Sequence, residues 1–249
     1  MRRSPCNIYF HGIPGSSDEL KLFPGFVPGD RHRLFAPDRT KYRLDLDLPH
    51  ALDELAVDIQ RRFPEQKINL IAFSLGTKVA LEVADRLGAQ VSHIDLISSA
   101  APLQSGDFLP HMAGGQVFGL AMRSPALFGA LVRLQGRIAS LAPNLLISQI
   151  FATAAAADMK LSRCPEFRAT MTAILRDTFR NGSGNYRREI SAYVGPWGDL
   201  LGRIQPPVTL WHGEEDNWAP KEMAFALDAA LPNVDALHVF PGLSHYSTL

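Results

Sequence analysis

Short apolar runs alternate with longer amphipathic ones along most of this chain, and few folds accept that order. Asn7–Phe10 is a compact apolar run, and Arg33–Ala36 a second, more polar one. Lys67–Phe73, His93–Ser98, Val208–His212 and Ala236–Phe240 read as four more strands. Between them, His50–Phe63 places Leu52, Leu55, Ala56, Ile59 and Phe63 at helical spacing. A helix from about Thr77 to Leu87 puts Val79, Ala80, Val83, Ala84 and Leu87 on one face, with Gly88 as its C-terminal cap. Another is predicted over Lys221–Leu231. Strands separated by helices pair in parallel through right-handed crossovers. The fold class is therefore α/β: a mostly parallel open sheet of about six strands with helices on both faces.

One region departs from the alternation. Between about Leu103 and Arg203 only helical patterns occur, at Val117–Leu134, Leu145–Met159 and Phe167–Phe179, with Gly182-Ser183-Gly184-Asn185 interrupting them. This block reads as a helical cap inserted over the sheet at 103–203, leaving 1–102 and 204–249 as the core.

Lys+Arg and Asp+Glu balance at 25 each, so no global field draws the chain to nucleic acid or an anionic membrane. The two cysteines, Cys6 and Cys164, fit neither a disulfide framework nor a zinc motif. The N-terminal Met-Arg-Arg-Ser-Pro-Cys is followed by too short an apolar run for a signal peptide. The longest apolar stretch, Met112–Leu134, is broken by Arg123, Pro125 and Arg133, short of the ~18 residues that span a membrane. A soluble, cytoplasmic protein is expected.

In open parallel sheets, reactive groups collect just beyond the strand C-termini. Four strands here end in polar clusters. The third runs Ala72-Phe73-Ser74-Leu75-Gly76 straight into a helix, which places Ser74 on a tight, strained turn with its hydroxyl exposed. An N-cap serine is the plainer alternative. The first strand ends His11-Gly12-Ile13-Pro14-Gly15, a turn able to leave backbone N–H groups free for a developing oxyanion. Ile13 and Leu75 are the candidate donors, Leu75 aided by its helix N-terminus. The fifth ends Trp211-His212-Gly213-Glu214-Glu215-Asp216, where one carboxylate could orient an imidazole. Asp216 is favoured by its distance past the strand, and Glu214 and Glu215 stay open. The sixth ends Phe240-Pro241-Gly242-Leu243-Ser244-His245. Among eight histidines, His245 alone follows a late strand in a glycine-containing loop. His11 and His212, each before a glycine, read as structural. No histidine pair has metal-ligand spacing.

With these four sites in the order oxyanion loop, Ser, Asp, His, the chain resembles the α/β-hydrolase superfamily, in the branch with a His-Gly-x-Pro-Gly loop. The resemblance spans nearly everything outside the insertion. It implies a Ser74–His245–Asp216 triad, Ile13 and Leu75 as oxyanion donors, and no cofactor or metal. Ser74 stands where related dehalogenases and epoxide hydrolases carry an aspartate. The chain departs from the family in having Ala72 for the usual glycine, in lacking the N-terminal hairpin, and in ending four residues after His245 without the customary final helix. In the family's strand order Arg33–Ala36 becomes a sheet edge, where Arg31, Arg33 and Arg39 would oppose edge-to-edge pairing.

The activity implied is cleavage of an ester or related acyl bond in a small, largely apolar substrate. Phe108, Phe118, Met122, Phe128 and Leu131 are candidates to line its pocket, or alternatively pack the insertion on itself. The same triad serves thioesterases, acyltransferases, carbon–carbon bond hydrolases and perhydrolases, and the fold also serves non-catalytic ligand binders. A small-molecule partner is expected, with oligomeric state left open.

Overall fold

The computed structural model describes residues 5–23, 34–181 and 183–249. Six strands form one sheet: β1 (Cys6–Phe10), β2 (Leu34–Phe35), β3 (Ile68–Phe73), β4 (Val91–Ile97), β5 (Val208–Gly213) and β6 (Val234–Phe240). Their order is β2-β1-β3-β4-β5-β6, and every adjacent pair is parallel. Alternation along β3 shows why the sheet holds. Ile68, Leu70 and Ala72 are fully buried, whereas Asn69 and Ile71 are half-buried on the opposite face. That second face is polar: Asn69 donates to Asn7 Oδ1 at 3.2 Å and Trp211 Nε1 to Asp95 Oδ1 at 2.9 Å.

Crossover handedness decides where the helices go. From β2 onward each connection advances the same way across the sheet, and only β1 to β2 runs back. Right-handed crossovers thus set α1 (Leu48–Arg62), α2 (Gly76–Leu87) and α9 (Lys221–Ala230) on one face, with the 3-10 segment Ser17–Leu22 that follows β1 on the other. A second 3-10 segment, Gly198–Arg203, packs between α2 and α9, and α1 packs on α2. Helix α1 starts two residues before the expected His50, because the Asp47 side chain accepts the His50 N–H at 3.0 Å and Pro49 sits in the first turn.

Between β4 and β5 lie α3 (Gly115–Arg123), α4 (Pro125–Leu141), α5 (Pro143–Ile150), α6 (Ala156–Leu161), α7 (Pro165–Arg176) and α8 (Ser183–Tyr193), with no strand among the described residues. Several boundaries differ from expectation. The run Val117–Leu134 is two helices, since Ser124 caps α4 by accepting the Leu127 N–H and Pro125 begins it. Leu145–Met159 is likewise split, between α5 and α6. Ser183-Gly184-Asn185, expected to interrupt, opens α8, and Gly182 lies outside the described residues. Asn185 stays helical because its amide reaches outward to the Thr40 and Tyr42 carbonyls, each at 3.0 Å. Buried residues of this segment, including Phe128, Met171 and Ile174, join those of the sheet in one cluster.

At the sheet edge, β2 is only Leu34–Phe35, while Arg31 and Arg33 lie outside the described residues. Arg39 is not an edge guard. It is 1% exposed, because Glu189 of α8 neutralises it and draws it inward.

Candidate active site

The turn after β3 has the strain its sequence suggested. Ser74 takes φ +56, held there by its N–H on the Ile97 carbonyl at 3.0 Å and by Thr77 and Ala100 N–H groups on its own carbonyl. A Cβ on Gly76 would stand 2.4 Å from the Phe10 carbonyl oxygen and 2.6 Å from that of His11, so only glycine lets α2 leave the sheet this close to β1. Ala72 sits in register beside Phe10 with its methyl fully buried, so the departure from glycine there is accommodated by ordinary strand packing.

Beyond β1, the His11–Gly15 loop is fastened through its backbone. Glu19 Oε2 accepts the Gly12 N–H and the Tyr9 hydroxyl, both at 2.8 Å. Arg39 Nη2 donates to the His11 carbonyl at 2.8 Å, and Thr178 Oγ1 to the Gly15 carbonyl at 2.9 Å. Burial pushes the Glu19 carboxyl up to about 7, against the opposing pull of the Gly12 N–H, Tyr9 and Arg39. Among the described residues, the N–H groups of Ile13 and Leu75 have no acceptor within the chain.

The carboxylates after β5 separate by exposure. Glu214 and Glu215 face solvent, Glu214 beside Lys221. Asp216 is buried: Oδ1 accepts the Trp218 and Ala219 N–H groups, each at 2.9 Å, and Oδ2 accepts from His245 Nδ1 at 2.7 Å. His245 is 2% exposed, packed between Phe73 and Trp218, and its carbonyl accepts from Ser98 Oγ at 2.9 Å. Burial alone would lower its pKa. The charge and hydrogen bond of Asp216 outweigh that, with help from Asp158 and Glu19, and hold it above the ordinary value.

His212 and His11 do different work. His212 Nε2–H donates to the Ala219 carbonyl at 2.8 Å, and burial lowers its pKa. His11 Nδ1 lies 2.8 Å from the Gly12 carbonyl, and burial followed by Arg39 pushes its pKa well below normal. Both are buried hydrogen-bonding groups in which burial favours the neutral ring. Among the described residues no cluster of His, Cys, Asp and Glu could hold a metal ion, and no helix is long and apolar enough to cross a membrane.

Ser74 and His245 open onto a shared cavity of about 430 Å³, which Ile13 and Leu75 also line. Of the aromatic and apolar candidates, Phe118 and Leu131 are in its wall. Phe108, Met122 and Phe128 are not. Phe108 is buried against Gly106, Met122 faces solvent at 52% exposure, and Phe128 packs inward on Tyr186. Sequence reasoning missed the rest of the wall, notably Leu134, Ile138, Ile150 and Trp218. It also missed Thr178 and Asp158, because a polar residue that will pair with distant backbone carries no local pattern, and Glu19, whose partners Gly12 and Tyr9 lie across a turn that the sequence pattern does not close.

A family model described as the alpha/beta hydrolase family matches residues 8–249. The chain belongs to the alpha/beta hydrolase family. Solved structures agree on the fold. An esterase from Thermogutta terrifontis superposes with TM-score 0.69 at 16% identity, covering 99% of this chain and 84% of its own. A bromoperoxidase from Bacillus anthracis gives 0.67 at 14% identity, covering 98% and 87%. MenH from S. aureus gives 0.63 at 14% identity, covering 98% and 88%. No curated protein matches by sequence. Identities this low leave the pocket of this alpha/beta hydrolase to be read from its own residues between β4 and β5.

Proposed function

We propose that the protein is a serine hydrolase that cleaves an ester or related acyl bond of a small, largely apolar substrate through Ser74, His245 and Asp216. The observation that carries this reading is the His245–Asp216 hydrogen bond of 2.7 Å at the edge of the cavity that the strained Ser74 also lines. Asp216 accepts the hydrogen bond from Nδ1–H, which keeps the proton on Nδ1 and leaves Nε2 unprotonated, the tautomer a general base requires. His245 takes the Ser74 proton, and Ser74 Oγ attacks the acyl carbon to form a tetrahedral intermediate. The unpaired N–H groups of Ile13 and Leu75 receive the oxyanion. His245 then protonates the leaving alcohol, and water repeats the sequence to release the acid.

The helical segment 103–203 acts in this reading as a cap. Phe118, Leu131, Leu134, Ile138 and Ile150 make the acyl side of the cavity apolar. Ser74→Ala should abolish turnover of p-nitrophenyl butyrate and labelling by a fluorophosphonate probe, while circular dichroism stays unchanged. Undiminished turnover in that variant, or a folded wild-type protein that the probe does not label, would refute the reading.

A further inference from the structure

Asp158, in helix α6 between β4 and β5, is completely buried. Its Oδ2 accepts the Tyr246 N–H at 2.9 Å, and its Oδ1 accepts the Ser247 N–H at 2.8 Å. These are the two peptide groups that directly follow His245. On the near side, Ser98 Oγ holds the His245 carbonyl at 2.9 Å, and Ser247 Oγ accepts the Ser244 N–H at 2.7 Å. Among the described residues no Lys, Arg or His pairs with Asp158. A buried carboxylate without a cation is costly unless hydrogen bonds satisfy it, and here both oxygens are spent on one loop. Asparagine could not replace it, since its amide offers one acceptor oxygen to two donors.

We propose that Asp158 is a positioning residue for His245: it fixes the backbone immediately beyond the base, so that seating of the helical segment and placement of the base are one event. This rests on the reading of His245 as general base. Ring packing supports the same coupling. Tyr246 lies 5.5 Å from Phe151 and 5.7 Å from Phe167, both from the helical segment, and 5.3 Å from Phe73 at the end of β3. The titratable groups that face His245 are Asp216 and His212 around the end of β5, Glu19 from the 3-10 segment Ser17–Leu22, Asp158 from α6, and Tyr246, whose ring lies 5.4 Å from the imidazole. Asp158 and Glu19 add to Asp216 in favouring the imidazolium.

The test uses the full chain with Asp158→Asn and Asp158→Glu. Steady-state hydrolysis of p-nitrophenyl butyrate is measured across pH, and the His245 imidazole is titrated separately by NMR on ¹⁵N-histidine-labelled protein. For Asp158→Asn, kcat should fall about 10- to 100-fold with KM within about threefold. The His245 midpoint and the acid limb of kcat/KM should both move to lower pH. Asp158→Glu, which keeps the charge but displaces it, should retain the midpoint and lose kcat. Wild-type kcat together with a wild-type midpoint in Asp158→Asn overturns the proposal. If that variant does not fold, Asp158→Glu decides alone, and unchanged kcat in it overturns the proposal. The NMR titration needs no turnover. A wild type that hydrolyses no ester but whose His245 midpoint falls in Asp158→Asn sinks the hydrolase reading and keeps the contact.

Discussion

Replacing Asp216 with Asn should inactivate the protein while leaving it folded, and the reason lies in which oxygen is already committed. Oδ1 receives two backbone N–H groups, from Trp218 and Ala219, so that position must remain an acceptor. The amide nitrogen is therefore forced into the place of Oδ2, facing His245 Nδ1 at 2.7 Å. An NH₂ group there requires His245 to accept at Nδ1 and so to carry its proton on Nε2. That tautomer cannot take a proton from Ser74. A wrong-tautomer substitution of this kind costs about 10⁴-fold in kcat, or about 5 kcal/mol of barrier. KM should change little, because no cavity wall is altered. The assay is steady-state hydrolysis of p-nitrophenyl butyrate at pH 7.5, with urea unfolding to confirm the fold. Glu214→Gln and Glu215→Gln, both at exposed positions, serve as controls and should match wild type. A kcat for Asp216→Asn within tenfold of wild type would refute the tautomer argument, and loss of activity in a glutamate control instead would move the orienting role to that residue.

Two further outcomes follow from buried charge. Glu19 has its carboxyl raised from 4.5 to about 7, so the folded state binds more protons than the unfolded one in that interval. Its contribution to stability is thus fully present below pH 4.5 and is lost as pH rises through 7, about 3 kcal/mol in all. Glu19→Gln should flatten the fall in urea midpoint between pH 5 and 8, and parallel slopes in the two proteins would contradict this. Arg39→Ala leaves Glu189 buried without its cation and the His11 carbonyl without its donor, at a cost of about 3–5 kcal/mol in urea unfolding. An unchanged midpoint would show that the pair contributes nothing net.

What the sequence revealed, and what it withheld, follows from the range of the interactions. The strands were legible because burial on a sheet imposes a short-range alternation, as at Ile68, Leu70 and Ala72. The turn at Ser74 was legible for a related reason: Gly76 is required by the Phe10 and His11 carbonyls, a local steric demand that leaves a mark in the residue type. Arg39 misled because a charged residue near a sheet edge is ordinarily solvated, and its partner Glu189 is 150 residues away. Asp158 stayed silent for the same cause, bonding across 88 residues to backbone that any residue type could supply. The cavity wall was the hardest to read. Phe118 lines the cavity while Met122, one turn later on the same face of α3, is exposed to solvent, and periodicity groups the two without saying how far along a helix its buried stripe extends.

The long-range polar contacts share a direction. Glu189 reaches the His11–Gly15 loop through Arg39, Thr178 bonds the Gly15 carbonyl directly, and Asp158 takes the N–H groups beyond His245. All three residues come from the stretch between β4 and β5, and all three end on main chain next to a proposed catalytic group. A segment that only shaped a pocket could meet the core through apolar packing, which tolerates volume-conserving change at a cost below about 1.5 kcal/mol. Buried polar contacts behave otherwise, because removing one partner strands the other, at about 1–3 kcal/mol for a neutral bond such as that of Thr178 and several kcal/mol where a charge is left behind, as with Asp158 and Glu189. Under the proposed activity, substrate range should therefore drift at apolar wall positions such as Leu131, Leu134 and Ile138 while Asp158, Thr178 and Glu189 stay fixed. Exchanging the wall should change which ester is cleaved; exchanging the fixed three should change whether any is cleaved.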